Sequence, residues 1–435
     1  MPTIPLKGCA GMKIRAGDGF EQQGFPEMMS TPLYYFAQAG DTLRLINHAY
    51  KFNVATYSLT IDPRWIYTYD YAPDQSWTVY RGDLSGETYR QADYIFRDDC
   101  YFRVCLRKTS GKLFSDSDDI NEILVFDKKS TKPQATKPWI TNEAKRAASR
   151  VNELRTSDSL VFALFSDTHY VVNGTWHDTA ESLGKMHELV NFDGIVHLGD
   201  ITDGMVTSEA TKAYASIVLH ELKIHGIPVG LALGNHDSNY FRGNPQGFSH
   251  KEQRDFYFDG GELHYCMDYE AQKLRLIFLD SFDFTETMRY GYSKKCTAWL
   301  EQTLSSTSTD WRVIIFSHLP PVTRLQFWAK EVRGEEEIRR ILHIYSNKII
   351  AWINGHNHAD RIDHVESIPI VSTINTKCEA FTEHKPTSYI TPERKLDTAT
   401  QEAWDIMIVN QTTINFVRFG AGDDRIIKNR KAEWL

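Results

Sequence analysis

The sequence has no excess of positive charge: 49 Lys and Arg stand against 57 Asp and Glu, leaving a net charge of -8. Broad capture of nucleic acid needs a basic face that displaces counterions, so that class is excluded. No stretch approaches the roughly 18 consecutive apolar residues of a membrane span. Met1 to Ala10 also lacks the basic start and apolar run of a Sec-type signal. A soluble chain, cytoplasmic or released without such a signal, is expected. Nor is there a long Pro/Gly/Ser or single-sign tract of the kind that stays disordered, and no self-similar period of a repeat protein.

Cysteine is sparse. Cys9, Cys100, Cys105, Cys266, Cys296 and Cys378 are scattered and form no dense framework, so reduced thiols are expected. Cys100 and Cys105 are five apart, on opposite faces of a strand, and read as core residues in preference to a zinc clip or disulfide.

What the sequence does contain is 41% hydrophobic residues over a length that calls for two domains, or one large domain with an accessory module. Residues 1–127 read as an all-β sandwich, with strand-like runs at Asp41–Leu45, Phe52–Tyr57, Trp77–Tyr80 and Tyr101–Arg107. Residues 128–158 are polar with two prolines, then helical from Asn142 to Arg155: a linker and lead-in helix. From 159 to 420, strands alternate with helices in an α/β pattern. Strands are expected at Val161–Ser166, Gly194–Leu198, Pro228–Leu233, Leu274–Asp280, Arg312–Ser317 and Ile349–Ile353. Helices are expected around Asp178–Val190, Ser208–His225, Ser293–Leu304 and Glu335–Tyr345. Asp405–Asn410 and Thr413–Phe419 read as a closing hairpin, and 421–435 as a tail.

Five of the expected strands end in residues that carry chemistry. They run into Asp167-Thr168-His169, Gly199-Asp200-Ile201-Thr202-Asp203, Gly234-Asn235-His236-Asp237, His318, and Gly355-His356-Asn357-His358. Carboxyl ends of neighbouring strands in an α/β sheet converge on a shared crevice, so five distant loops can deliver ligands to one place. Two divalent cations about 3.5–4 Å apart repel and need a bridging anion with several oxygen and imidazole ligands. Asp200 is the natural bridge. Glycines 199, 234 and 355 let the chain turn off each strand. Asp167/His169 and His356/His358 are two apart, so in extended backbone each pair faces one way.

These five motifs, in this order from Val161 to Ile374, resemble the calcineurin-like metallophosphoesterase family. The resemblance implies a four-layer α/β/β/α sandwich. It also implies that Asp167, His169, Asp200 and His358 hold one metal, and Asp200, Asn235, His318 and His356 the other. His236 would bind phosphate and act as general acid, with Asp203 orienting its imidazole. The implied activity is hydrolysis of phosphomono- or diesters by in-line attack of a metal-bridging hydroxide. The metal pair is open among manganese, iron, zinc and nickel. Asp203 stands where purple acid phosphatases carry a tyrosine, which disfavours that branch.

Other residues are weighed separately. His197, His220, His225 and the remaining isolated histidines read as structural. Asp237 either supports a ligand or caps the next segment. Asn239–Asp268 reads as a loop, in which Arg242 and Arg254 are candidate phosphate contacts, as are Arg324 and Arg333 after His318. Tyr34, Tyr35, Phe36, Trp65, Tyr67, Tyr69, Trp77 and Tyr80 fill the sandwich core or line a face for a carbohydrate or cell-surface ligand. The N-terminal module resembles jelly-roll modules in front of some bacterial and phage-encoded phosphoesterases, which suggests a phage or prophage origin. The functional alternative is a carbohydrate or cell-surface binding protein that uses the phosphoesterase fold as a platform.

Overall fold

The computed structural model describes residues 3–4, 6–14, 21–31, 35–57, 90–115, 117–129, 136–170, 175–204, 208–223, 225–240, 246–326, 328, 330–378 and 388–428. The chain divides into two compact units, Met1–Ala135 and Thr136–Leu435.

Among the described residues, the first unit has two larger antiparallel sheets and a small two-stranded one. In one sheet, Leu124–Asp127 lies between Thr3–Ile4 and Thr42–Leu45. In the other, Cys100–Lys108 pairs with Met28–Ser30, Tyr35–Ala37 and Tyr50–Tyr57. Inward side chains of both sheets meet in one core, with Leu43, Leu45, Leu124 and Phe126 against Phe52, Val54, Phe102 and Val104. This is a β-sandwich, as the alternating runs predict. Cys100 and Cys105 are buried in it. Tyr35 packs its ring on Phe102. Tyr34, Trp65, Tyr67, Tyr69, Trp77 and Tyr80 lie outside the described residues, as does the expected Trp77–Tyr80 strand.

Among the described residues, the second unit holds two six-stranded mixed sheets. The first has the order Val229–Leu231, Gly194–His197, Leu160–Phe165, Ala403–Val409, Thr413–Gly420, Arg425–Lys428. Its first three strands are parallel and the rest antiparallel. The second has the order Tyr265–Tyr269, Leu274–Leu279, Arg312–Ser317, Ile349–Asn354, Ile368–Ser372, Arg361–Val365, with the four middle strands parallel. Leu160, Phe162 and Leu164 point to the same core as Leu274, Leu276, Phe278, Ile314 and Phe316, so the sheets stack face to face. Each such side chain contributes roughly 1.5–3 kcal/mol by leaving water.

Helices cover both outer faces. Leu300, Leu304, Ile338, Ile341 and Leu342 come from helices Lys294–Ser306 and Glu335–Ile344, and pack on Ile277, Ile315 and Trp352. On the other side, Trp404 stacks with Phe165 and Phe419, and its indole N–H reaches Ser182 of helix Trp176–Val190. The result is the four-layer α/β/β/α arrangement.

Three features depart from the reading of the sequence. Helix His250–Phe258 lies inside the stretch read as a loop, started by a capping box between Ser249 and Glu252. The stretch read as a tail contains strand Arg425–Lys428, which pairs with Thr413–Phe416. The lead-in helix begins at Pro138, with proline in the first turn, where its missing N–H costs nothing. No helix of the described residues is long and apolar enough to cross a membrane.

Candidate metal centre

The carboxyl ends of the parallel strands of both sheets lie together, and all seven expected ligands follow them directly. Asp167 and His169 follow Leu160–Phe165, Asp200 follows Gly194–His197, and Asn235 follows Val229–Leu231. His318 follows Arg312–Ser317, and His356 and His358 follow Ile349–Asn354. Each of the seven side chains is buried.

Their donor atoms converge in groups. Asp167, His169 and His358 form one, Asp200, His318 and His356 another, and His169, Asp200 and His236 a third. Asp200 stands between the first two: its Oδ2 lies 3.1 Å from His318 Nε2 and 3.7 Å from His169 Nε2. Two pairs of imidazole nitrogens face each other at 3.1 Å, His169 Nε2 with His358 Nε2 and His318 Nε2 with His356 Nδ1. Lone pairs so placed repel unless a proton or cation lies between them. Asn235 Oδ1 and His356 Nε2 are buried without a hydrogen-bond partner, which is costly unless another group completes them. Oxygen and imidazole donors around an anionic bridge fit a pair of divalent cations.

The route by which the ligands converge differs from the expected one. Asp167, His169, Asp200, His356 and His358 all have positive φ, between 40° and 68°. The i, i+2 pairs therefore are not extended; each of these five residues sits in left-handed backbone, which costs energy outside glycine and clusters at functional sites, whereas Asn235 has helical backbone, with φ of -69°. The glycines also divide their work. Gly199 has φ of 91° and makes the turn, whereas Gly234 and Gly355 make room. A Cβ at Gly234 would strike the Asp200 carboxylate, and one at Gly355 would strike Ser166 Oγ and the Asp167 carboxylate.

Surrounding groups fix the ligands. His318 Nδ1 lies 2.8 Å from the Leu198 carbonyl, which only accepts, so the proton sits on Nδ1 and Nε2 faces Asp200. Asp237 accepts from the main-chain N–H groups of Asp200 (2.8 Å), Ile201 (2.9 Å) and Gly234 (2.8 Å), tying two ligand loops together. Burial, helped by Asp200, pushes its carboxyl up to about 7. Burial opposes a proton on His318, but Asp200 and Asp167 outweigh it and raise the imidazole to about 9. His356 is held well below the usual imidazole range by burial and by His318, in the neutral form that ligates metals.

His236 projects into the same group. Its Nδ1 lies 2.6 Å from the main-chain carbonyl of Asp203 and its Nε2 3.8 Å from Asp200 Oδ2. The orienting contact expected of the Asp203 side chain is thus made by its backbone, which reaches His236 because Gly204 has no Cβ to collide there. The Asp203 carboxylate instead faces His169 Nδ1 at 3.2 Å.

Residues 160–360 match the family model described as calcineurin-like phosphoesterase. Those residues form a calcineurin-like phosphoesterase domain. No curated protein matches the chain. Similar solved structures include a dimetal phosphatase from Danio rerio, 16% identical with a TM-score of 0.47, covering 62% of this chain and 99% of that one. A purple acid phosphatase from yellow lupin, Lupinus luteus, is 13% identical with a TM-score of 0.45, covering 92% of this chain and 74% of that one.

Of the four arginines named as candidate phosphate contacts, three lie among the described residues. Arg242 lies outside the described residues. Arg254 lies on helix His250–Phe258 with Glu262 3.5 Å away, Arg324 pairs with Asp363, and Arg333 with Glu286. None of these three is brought to the metal ligands. His197 is fully buried, bonded to Thr168 and Gly199, and held at about 3 by burial, as a structural histidine should be. Reading by motif missed Tyr290, whose ring lies 5.5 Å from that of His356, and Trp328, whose indole donates to the His356 carbonyl at 3.0 Å. Neither has a local sequence signature.

Proposed function

We propose that this protein hydrolyses phosphate esters at a centre of two divalent metal ions. The observation that carries the reading is the position of the Asp200 carboxylate, within 3.1 Å of His318 on one side and 3.7 Å of His169 on the other. Asp167, His169, Asp200 and His358 would hold one cation, and Asp200, Asn235, His318 and His356 the other. When bound, the cations supply Lewis acidity that makes a water nucleophilic near neutral pH and offsets charge on the phosphoryl oxygens.

The chain's own contribution centres on His236. The Asp203 carbonyl accepts from Nδ1–H, leaving Nε2 as the atom that meets the substrate. Burial holds this imidazole down at about 4. A phosphate dianion beside Nε2 opposes that effect, so substrate binding loads the proton that the leaving oxygen receives. Asp237 keeps the Asp200 and Gly234 loops in register while this happens.

The test is turnover of para-nitrophenyl phosphate and its bis-ester with added Mn2+, for wild type and Asp200→Asn, beside elemental analysis of both. Two metals per wild-type chain, with activity lost in chelator and in the variant, is the expected outcome. A chain that holds two metals yet turns over no member of a broad phosphoester panel would favour a fold used as a platform for binding.

A further inference from the structure

The sequence motifs do not account for a lysine at the edge of this centre. Lys377 follows strand Ile368–Ser372, beyond the segment that matches the family model. It is only 8% exposed, and its Nζ lies 3.4 Å from Asp203 Oδ1. That same oxygen lies 3.2 Å from His169 Nδ1, an ion-pair distance without hydrogen-bond alignment, so one carboxylate oxygen is faced by an ammonium and by an imidazole.

The lysine is delivered by a fixed piece of backbone. Thr376 N–H donates to the Ser166 carbonyl at 2.7 Å, and Lys377 N–H to the Asp167 carbonyl at 3.3 Å, clipping the segment onto the loop that carries Asp167 and His169. Asn375 Nδ2 donates to the Lys377 carbonyl at 2.7 Å. The guanidinium of Arg394, itself 1% exposed, donates to the carbonyls of Asn375 (3.1 Å) and Thr376 (3.0 Å) from the other side.

We propose that Lys377 is a positioning residue of the metal centre: its ammonium holds the Asp203 carboxylate against Nδ1 of His169 and so keeps Nε2 of that imidazole turned towards the cation. This rests on the two-metal reading above. A carboxylate behind a ligand histidine fixes the ring and raises its basicity, and losing such support costs about 10- to 100-fold in metal affinity. Asp203 Oδ2 is buried without a hydrogen-bond partner, so Asp203 has no second strong anchor at that oxygen. Without the lysine, the carboxylate gains by turning away from His169 towards whatever can solvate it.

The experiment is titration of Mn2+ into the metal-stripped full chain, for wild type, Lys377→Met, Lys377→Arg, Asp203→Asn and Lys377→Met/Asp203→Asn. Lys377→Met is expected to weaken one of the two Mn2+ sites by about 10- to 100-fold. Lys377→Arg should restore most of that affinity, since a guanidinium also pairs with the carboxylate. In the Asp203→Asn background the lysine substitution should add no further loss, because the partner it acts through is gone. The double variant buries no lone charge, so it remains informative where Lys377→Met alone folds poorly. Wild-type affinity in Lys377→Met, or a full additional loss in the double variant, overturns the assignment while leaving the two-metal reading intact. A wild type that takes up no Mn2+ overturns both.

Discussion

The main-chain carbonyl of Asp203 accepts from Nδ1 of His236 at 2.6 Å, while the carboxylate of Asp203 faces His169. One residue therefore supports two histidines by two different atoms, and substitutions separate them. His236→Ala should lower kcat by at least about a hundredfold with both metals retained, the scale of lost general acid catalysis. Asp203→Asn keeps the carbonyl, so His236 stays oriented and the loss should fall on metal affinity. Steady-state kinetics at saturating Mn2+ beside metal content distinguish the two; equal metal loss in both variants would refute the division.

Gly355 has no room for a side chain, since an added Cβ would strike Ser166 Oγ and the Asp167 carboxylate. Gly355→Ala should therefore displace Asp167 or His356, whose N–H donates to Asp167 Oδ2 at 3.0 Å. Overpacking of this kind costs about 1–3 kcal/mol of stability, and a misplacement near 1 Å costs about a hundredfold in rate. Unchanged kcat in a folded Gly355→Ala protein would show that the loop absorbs the methyl group freely.

How much of this was legible in the sequence follows from where the signal was local. Apolar runs such as Val161–Ser166 and Arg312–Ser317 ended in Asp, His or Asn, so the strands and the side chains that meet beyond them could be read together. The helix His250–Phe258 was also legible, through Ser249-His250-Lys251-Glu252, yet a tyrosine- and arginine-rich stretch masked it. Strand Ile368–Ser372 was hidden by Pro369, which is paired on one side only, with His364, since pairing with Ile349–Asn354 begins at Ile370. Lys377 was not legible at all, because its meaning depends on contacts with Asp203 and Asp167 about 170 to 210 positions away in the chain. The left-handed backbone of Asp167, His169, Asp200, His356 and His358 was equally invisible: Asp and His carry no local mark of the strain that tertiary packing imposes on them.

A buried charge network holds the loop that follows His358. Arg418, fully buried, donates to both carboxylate oxygens of Asp360 (2.8 and 2.9 Å) and to Asp405 (3.0 Å), and Arg425 joins the same two aspartates. Removing one partner of such a network leaves uncompensated charge, worth about 3–5 kcal/mol. Arg418→Met should lower the unfolding free energy by that amount in urea titration and loosen Mn2+ binding through Asp360, two residues from His358. A stability loss below about 1 kcal/mol would mean that Arg425 alone neutralises both aspartates.

Glu402 makes stability depend on pH from a position outside the metal ligands. It is fully buried, accepting from Thr179 Oγ1 at 2.6 Å and Gln401 Nε2 at 3.1 Å, and burial pushes its carboxyl up from 4.5 to about 7. Below pH 4.5 the group is protonated whether folded or unfolded and contributes no difference. As pH rises towards 7 the unfolded chain releases the proton while the folded chain retains it, so stability falls; above about 7 the full penalty, about 3 kcal/mol, applies. Glu402→Gln stays neutral, and the Thr179 hydroxyl can turn to accept from its amide. The variant should therefore match wild type near pH 4.5 and exceed it by about 2–3 kcal/mol at pH 8, read from denaturation midpoints at the two pH values. Parallel pH profiles for the two proteins would place the titration on another group.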